Sequence, residues 1–396
     1  MAGKVRSDGN ARIIAVLFIS FFVLGLPNAT LGAAWPSMYK GLGVSDSYLG
    51  IITMIIMGVS IIGSTFSGYL GRRYKTSMLI IACVLMISAP LLGFGLLMTF
   101  WLICIIVIPV GIALGLGEAV MNNHIANNLE TKHMNWAHCF WGVSSTVGPI
   151  VLSLSIRIGS WQSGFFILGI VTIIAVAVMI VTLPKWKRFA DVGVEEKDPV
   201  SVNLADVFRL RGVKLALASI FCYVIVEIIN VLWGSTYLVM VKGMSPEMAA
   251  RWIAIFSIGL TVGRAGAGFL TMKLSNHQLI RLGSAIIAIG IVLVLLPLGS
   301  SWYLIGFLLM GLGCSPIFPC IVQDTPLIVG EKYSQSLMGL QIAIGYVCGA
   351  VVPPMFGAIA AHTGYKIFPV FLAFALALTV IVIEIQYRRT PSLRGL

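Results

Sequence analysis

The sequence predicts an all-helical integral membrane protein, and three observations support this fold class. Of the 396 residues, 59% are hydrophobic and 10% are charged, with a mean hydropathy of +1.00. A soluble globular domain carries about 25% charged residues. Apolar stretches long enough to cross about 30 Å of hydrocarbon as helices recur along the whole chain. The basic residues fall in short runs between these stretches, which is typical of a membrane topology signal.

Twelve apolar stretches follow one another, and we number them as predicted spans 1 to 12. They cover residues 12–39, 48–70, 77–99, 101–121, 135–157, 162–183, 213–239, 246–273, 278–297, 301–322, 336–361 and 368–387. Each stretch is about 20 residues or longer and therefore predicts one membrane-spanning helix. The residues that remain leave no room for a separate soluble domain.

The distribution of basic residues predicts the orientation of the chain. If both termini are cytoplasmic, the tails and loops on that side hold 20 Lys and Arg, whereas the opposite loops hold five. This bias predicts a multi-pass protein of the cytoplasmic (cell) membrane with both termini in the cytoplasm. The net charge of +12 is scattered between spans, so nucleic-acid binding is not expected.

The two halves of the sequence resemble each other. Residues 63–70 (GSTFSGYL) align with residues 263–270 (GRAGAGFL) at an offset of 200, and a fainter match sets His138 beside Gln341. The longest polar stretch lies between spans 6 and 7. We therefore predict two pseudo-symmetric six-helix bundles, the arrangement on which rocking-type alternating access is built. The predicted boundaries are 1–184 for the first bundle, 185–212 for a cytoplasmic linker and 213–396 for the second bundle.

Three ionisable side chains lie well inside predicted spans, away from the span ends, where each costs about 2.5–3.5 kcal/mol unless it faces a cavity or a partner. Glu118 in span 4 is a lone carboxyl, and loss of water disfavours its charged form. It is either a reversible proton carrier or a structural carboxyl bonded to a neighbouring helix. Glu227 in span 7 and Arg264 in span 8 lie at depths that allow an ion pair, either a structural or gating bridge or a substrate contact.

Amide and aromatic side chains in the spans form a second set of candidates. Amides bond hydroxyl groups and aromatic rings offer stacking platforms, so together they suit a neutral, polyhydroxylated solute. Trp residues are also common at membrane interfaces without any role in binding. His138, near the cytoplasmic end of span 5, either relays protons or caps that helix end. The candidate substrate contacts are Asn28, Asn122, Asn123, Trp141, Glu227, Asn230, Trp233 and Gln341.

Three segments point to a known family. Residues 115–122 (GLGEAVMN) match a G-x-x-E-x-x-x-N pattern, and residues 135–142 (NWAHCFWG) match N-x-x-H-x-x-[FW]-G. Residues 223–227 (YVIVE), with Trp233 and Tyr237 following, match a Y-V-x-x-E run. These patterns resemble the fucose:proton symporter family of the major facilitator superfamily.

The resemblance implies the twelve-helix major facilitator fold, proton-coupled uptake of a monosaccharide or related compound, and protonation at Glu118 with Asn122 beside it. Two positions depart from it. Asn28 stands where related symporters often carry an acidic residue, which leaves uniport or another coupling ion open. Arg72, followed by Arg73, stands where the loop between helices 2 and 3 usually has Asp, so the usual gating ion pair there is absent or rewired.

We therefore predict a secondary active transporter that imports a sugar or sugar-like neutral solute with protons, and we expect a monomer. The alternative is a proton-coupled exporter of drug-like or lipid-like compounds on the same fold. An enzyme is not expected, because no nucleophile with a base is recognisable. Neither a cofactor nor a metal is expected, because the seven cysteines are scattered through apolar segments without a Cys-x-x-Cys pair.

Overall fold

The computed structural model describes residues 2–96, 99–129, 131–190, 204–270, 273–297, 299–390 and 393. Fifteen α-helices account for most of them. In chain order they are α1 Ala2–Leu42, α2 Leu49–Arg73, α3 Thr76–Leu96, α4 Phe100–Asn128, α5 Thr131–Ile158, α6 Trp161–Ala190, α7 Leu204–Arg209, α8 Val213–Met240, α9 Pro246–Leu270, α10 Asn276–Leu295, α11 Ser300–Cys314, α12 Ile317–Gln323, α13 Thr325–Val329, α14 Glu331–Thr363 and α15 Phe368–Arg389. Short 3-10 helices at Asp46–Tyr48 and Tyr365–Ile367 precede α2 and α15.

The all-helical membrane fold predicted from the sequence is confirmed. Within the described residues, 11 segments are long and apolar enough to cross a membrane. The helix α9, 25 residues long, occupies the place of predicted span 8. Every predicted span therefore coincides with a helix or with a run of helices, and the part of the chain described here contains no β-strand.

The structure differs from the sequence prediction at several places. The helix α4 continues to Asn128, several residues beyond the predicted end of span 4. The segment predicted as a linker contains the short helix α7, whose Val207 packs in a small apolar cluster with Val213, Ala216 and Leu337. Predicted span 10 is a succession of three helices, α11, α12 and α13, with breaks after Cys314 and at Asp324.

Proline explains the first of these breaks. Pro316 has no N–H to bond the carbonyl of Leu312, and its ring clashes with that carbonyl in a regular helix. The hydroxyl of Ser315 donates to the Leu312 oxygen at 2.7 Å, which satisfies the carbonyl that Pro316 leaves without a donor. The Leu312 carbonyl therefore keeps a hydrogen-bond donor despite the break in the helix.

The chain divides into two compact units. One comprises Met1–Glu195 with Ser245–Arg251, and the other comprises Glu196–Met244 with Trp252–Leu396. In the first unit α2 packs on α4, α1 on α5, and α3 on both α4 and α6. In the second unit α8 packs on α14 and α15, and α10 on α11 and α15. The domain boundaries given by the sequence analysis stay a prediction.

Glycines allow the closest helix contacts in both units, and they do so at positions 200 residues apart. In the first unit, a Cβ added to Gly111 would lie 2.5 Å from the carbonyl oxygen of Ile56. In the second, a Cβ on Gly311 would collide with the carbonyl oxygen of Phe256. Because glycine has no side chain, the two backbones touch directly at these points. These contacts fix α4 on α2 and α11 on α9, and α4 carries Glu118.

Candidate functional site

Glu118 lies on α4 where that helix packs against three others. Gly115 faces the carbonyl of Ser60 in α2, and the Ser60 hydroxyl donates to the Gly111 oxygen at 3.0 Å. A Cβ on Gly117 would lie 3.2 Å from Cys83 of α3 and from Leu24 of α1. The Glu118 side chain itself is half-buried. The first unit therefore holds this carboxyl at a rigid helix crossing while leaving it partly accessible.

Asn122 follows Glu118 by one helical turn and is also half-buried. Its Oδ1 is buried and accepts no hydrogen bond from the described residues. A buried acceptor without a donor costs about 1–3 kcal/mol, so a hydroxyl donor on a bound molecule would be stabilised there. Asn123, by contrast, is exposed, and the next residue, His124, is buried with its Nδ1 3.4 Å from Nδ2 of Asn128.

His138 and Trp141 lie on α5 at its contact with α1. The His138 ring meets the edge of Phe21 with centroids 5.2 Å apart, and both His138 and Trp141 are half-buried. A Cβ on Gly25 would lie 2.7 Å from the Trp141 carbonyl oxygen, so the two helices are in backbone contact. Asn28 comes three residues after Gly25 on α1, and its side chain lies outside the described part of the structure.

The second unit holds a polar cluster formed by α8, α9 and α11. Arg264 Nη2 lies 3.8 Å from Glu227 Oε1, with both side chains about a quarter exposed. The Tyr223 hydroxyl lies 2.6 Å from Glu227 Oε2 and 2.9 Å from the Cys314 carbonyl oxygen. A hydroxyl has one proton to donate, so these two acceptors compete for it.

Three of the predicted substrate contacts are buried inside the second unit. Asn230 is fully buried, donates to the Val226 carbonyl at 2.8 Å, and its Oδ1 has no donor among the described residues. Trp233 is equally buried against Phe356 and Tyr365, while Gln341 accepts a hydrogen bond from Thr325 at 3.0 Å. In the conformation described, these side chains are packed in the interior and do not line an open surface.

The arginine pair at the end of α2, Arg72 and Arg73, is only partly described. The side chain of Arg72 lies outside the described part, and Arg73 is exposed and donates to the hydroxyl of Tyr69 at 2.9 Å. Arg73 therefore contacts a residue one helical turn earlier in α2. A gating role for this pair stays a prediction.

Sequence reasoning missed a second polar cluster, which joins α10, the α12–α13 break and α15. The buried Asp324 accepts hydrogen bonds from Asn276 at 2.8 Å and from the Tyr387 hydroxyl. The Tyr387 ring stacks on His277 at 3.9 Å, and His277 lies 3.0 Å from Glu384. Asp324 lies just outside predicted span 10. Glu384 lies inside predicted span 12, and it could have been identified from the sequence because a carboxyl group in a membrane span is costly.

The described residues contain no group of three or more His, Cys, Asp or Glu that could hold a metal ion. The seven cysteines are free thiols. The two predicted sites are Glu118 with Asn122 and Glu227 with Arg264. Their side chains can form hydrogen bonds and ion pairs, and their carboxyl groups can exchange protons.

Comparison with known proteins identifies the family. The model of the family described as Major Facilitator Superfamily matches residues 17–353, which is most of the chain. The chain belongs to the major facilitator superfamily. It is therefore a multi-pass membrane secondary transporter, and its relatives are transporters and not enzymes. The match is to the superfamily, so the particular resemblance to fucose:proton symporters stays a prediction.

Curated relatives of this superfamily member span several substrates. An uncharacterized MFS-type transporter of Yersinia pestis is 24% identical, with 76% of this chain and 77% of the relative covered. The 4-hydroxybenzoate transporter PcaK of Pseudomonas putida is 20% identical, with 68% of each covered. A probable hexose phosphate transport protein of Chlamydia trachomatis is 21% identical, with 76% and 75% covered.

Solved structures share the fold of this superfamily member at low identity. A nucleoside transporter, NupG, superimposes with a TM-score of 0.77 at 12% identity, covering 94% of this chain and 98% of its own. A D-xylose-proton symporter superimposes with a TM-score of 0.76 at 14% identity, covering 97% and 98%. At these identities the likeness shows the major facilitator fold alone.

Proposed function

We propose that this transporter couples the uptake of a small, neutral, hydroxyl-bearing solute of the sugar class to the movement of protons. One observation carries the proposal, and it is present in each unit. A partly exposed membrane carboxyl is followed one turn later by an amide whose oxygen has no donor among the described residues. The pairs are Glu118 with Asn122 on α4, and Glu227 with Asn230 on α8.

The amide oxygens support a hydroxylated solute. A donor-free buried oxygen is stabilised by any ligand hydroxyl that reaches it, and sugars carry many such hydroxyls. Asn230, Trp233 and Gln341 are packed inside the second unit in the conformation described. Their proposed contact with solute therefore requires a conformational change of the kind that alternating access provides. Asn28 and Asn123, with Trp141, complete the proposed set.

The carboxyls support proton coupling. Glu118 is the proposed proton carrier, because a half-buried carboxyl at a helix crossing can exist both charged and neutral. His138 is the proposed relay at the end of α5. The Tyr223 hydroxyl of α8 donates to Glu227, and Arg264 of α9 lies 3.8 Å from the same carboxyl. This carboxyl therefore joins α8 to α9, and we propose that the Glu227–Arg264 ion pair takes part in gating.

Uptake into proteoliposomes tests the role of Glu118. For one proton per solute, a pH difference of one unit supports about tenfold accumulation. Glu118→Gln should abolish this accumulation and leave exchange of solute across the membrane intact, because the neutral amide mimics the protonated carboxyl. The control is Glu247→Gln, which changes a glutamate that pairs with Arg251 at 3.0 Å on the surface. Accumulation by Glu118→Gln at the control level would make Glu118 structural.

An organic anion is a second candidate solute. The names of two relatives specify a carboxylate and a phosphate compound, 4-hydroxybenzoate and hexose phosphate. The 3.8 Å separation from Glu227 leaves the Arg264 guanidinium, about a fifth exposed, with donors for an anionic group. Arg264→Gln should abolish the rise in Tm that a bound anion causes, whereas binding of a neutral sugar needs no positive charge there.

Thermal-shift screening of the purified protein distinguishes these substrate classes, because a ligand bound only to the folded state raises Tm. Sugars and polyols raising Tm would support the first proposal, and aromatic or phosphorylated acids the second. Stabilisation by lipophilic cations alone would favour the alternative from the sequence, an exporter of drug-like or lipid-like compounds, and would contradict both.

A further inference from the structure

A cavity of about 620 Å³ lies between α10 and α15, and Glu384 of the second polar cluster is part of its lining. Its walls are mostly small or branched apolar side chains, among them Ala285, Ala288 and Ala377. Large apolar side chains such as Ile289 and Phe374 are exposed beside it. In a membrane protein, a helix face of this composition suits contact with lipid.

The cavity is polar at one end only. Arg281 and Glu384 form its end wall, joined by a two-pronged ion pair with N–O distances of 2.6 and 2.7 Å. One turn further along α10, Ser284 lines the cavity and is 6% exposed. The Ser284 hydroxyl has no hydrogen-bond partner in the described part of the chain. Beyond Ser284 the lining is apolar.

The length of the cavity matches one leaflet of a bilayer. Its lining along α10 runs from Ile280 to Val292, which corresponds to about 18 Å of helix. Half of the hydrocarbon core of a bilayer is about 15 Å. The order of chemistry along this length is cation, hydroxyl and apolar wall, which is the order of phosphate, glycerol ester and acyl chain in a phospholipid.

The polar end also carries an excess of positive charge. Arg281 is 60% exposed, and Glu384 engages only its Nε and Nη2, so further guanidinium N–H groups remain available. Lys273 precedes α10, and Arg388 and Arg389 end α15, all three with exposed side chains. These residues lie on the membrane face that the positive-inside bias predicts to be cytoplasmic, where anionic lipids are enriched.

We propose that this cavity between α10 and α15, called the groove below, is a binding site for one anionic phospholipid. The phosphate lies at Arg281, an ester carbonyl accepts a hydrogen bond from Ser284, and one acyl chain fills the apolar part between α10 and α15. Because lipid tails are as apolar as the side chains they touch, chain burial gives no selectivity within a bilayer. Selectivity for this site must therefore come from the headgroup charge.

The test measures Tm of the full-length protein in detergent while a lipid is titrated. Phosphatidylglycerol should raise Tm in a saturable way, and phosphatidylcholine with the same acyl chains should bind at least about tenfold more weakly. Ala377→Phe fills the groove at an exposed position and should abolish the saturable shift. The matched control is Ala177→Phe, the same change at an exposed alanine of α6 outside the cavity.

A second variant separates the headgroup contact from the groove. Arg281→Gln should weaken binding of phosphatidylglycerol more than that of phosphatidylcholine, whose choline cation offsets the charge of its phosphate. Equal shifts with both lipids, or a saturable shift that survives Ala377→Phe, would overturn the proposal. So would inorganic phosphate reproducing the shift, since that would indicate a site for free phosphate.

Discussion

The helix α4 and its counterpart 200 residues later begin alike and end differently. Both use a glycine, Gly111 or Gly311, for backbone contact with a neighbouring helix. The helix α4 then continues without interruption to Asn128, whereas the second copy breaks after Cys314 and again at Asp324. Proline accounts for the first of these breaks, since Pro316 stands where the first copy has Leu116.

This difference shows how a duplicated helix can hold two kinds of site. The unbroken α4 carries a carboxyl and an amide, Glu118 and Asn122, one turn apart on one rigid element. The broken copy contributes backbone instead, because the Cys314 carbonyl at the end of α11 lies within bonding distance of the Tyr223 hydroxyl. The carboxyl of the second cluster comes from another helix, at Glu227 on α8.

The largest expected effect comes from introducing a proline into α4 at the position that corresponds to Pro316. Leu116→Pro removes an N–H from the middle of α4 and brings its ring against the Ile112 carbonyl, at a cost of about 3 kcal/mol or more. We expect loss of folded protein, measured by size-exclusion chromatography and by Tm. Leu116→Met is the control and should cost less than about 1.5 kcal/mol. A stable Leu116→Pro variant would show that proline alone does not explain why the second copy breaks and α4 does not.

The shared part of the two copies is tested by filling the glycine contacts. Gly111→Ala and Gly311→Ala each put a methyl group against a backbone carbonyl, and overpacking of this kind costs about 1–3 kcal/mol. Both variants should lower Tm, with the larger decrease at Gly311, whose contact with Phe256 is closer.

Gly58→Ala is the control for both variants, since a Cβ there meets nothing within 4 Å. It should leave Tm unchanged or raise it slightly, because alanine is favoured over glycine in helices by about 0.5–1 kcal/mol. A decrease in Tm for Gly58→Ala equal to that for Gly111→Ala would mean that the contacts do not cause the effect.

The smallest expected effect concerns the hydrogen bond at the first break, after Cys314. Tyr223→Phe removes the hydroxyl that joins Glu227 to the Cys314 carbonyl, and the loss of one buried hydrogen bond costs about 1 kcal/mol. The decrease in Tm should therefore be modest. Tyr333→Phe, on α14, serves as the control tyrosine. A decrease in Tm no larger than that of the control would show that the Tyr223 hydroxyl does not stabilise the contact between α8 and the end of α11.

The sequence predicted most of the fold because lipid imposes a simple rule. Backbone groups in hydrocarbon must be bonded within the helix, so each long apolar stretch becomes a helix. All twelve predicted stretches coincide with helical segments, and the family match agrees with the fold. The intramembrane residues Glu118, Glu227 and Arg264 were also identifiable, since charged groups in such stretches are costly and therefore rare.

Only the tertiary structure decided which side chains meet and which are accessible. The sequence could not show that the Tyr223 hydroxyl reaches both Glu227 and the Cys314 carbonyl, or that Tyr387 donates a hydrogen bond to Asp324, 63 residues away in the chain. Nor could it show that Trp233 is fully buried while Trp141 is half-buried. Hydropathy determines whether a residue enters the membrane, but its partners depend on helix rotation and contact. These are set by packing between segments far apart in the chain.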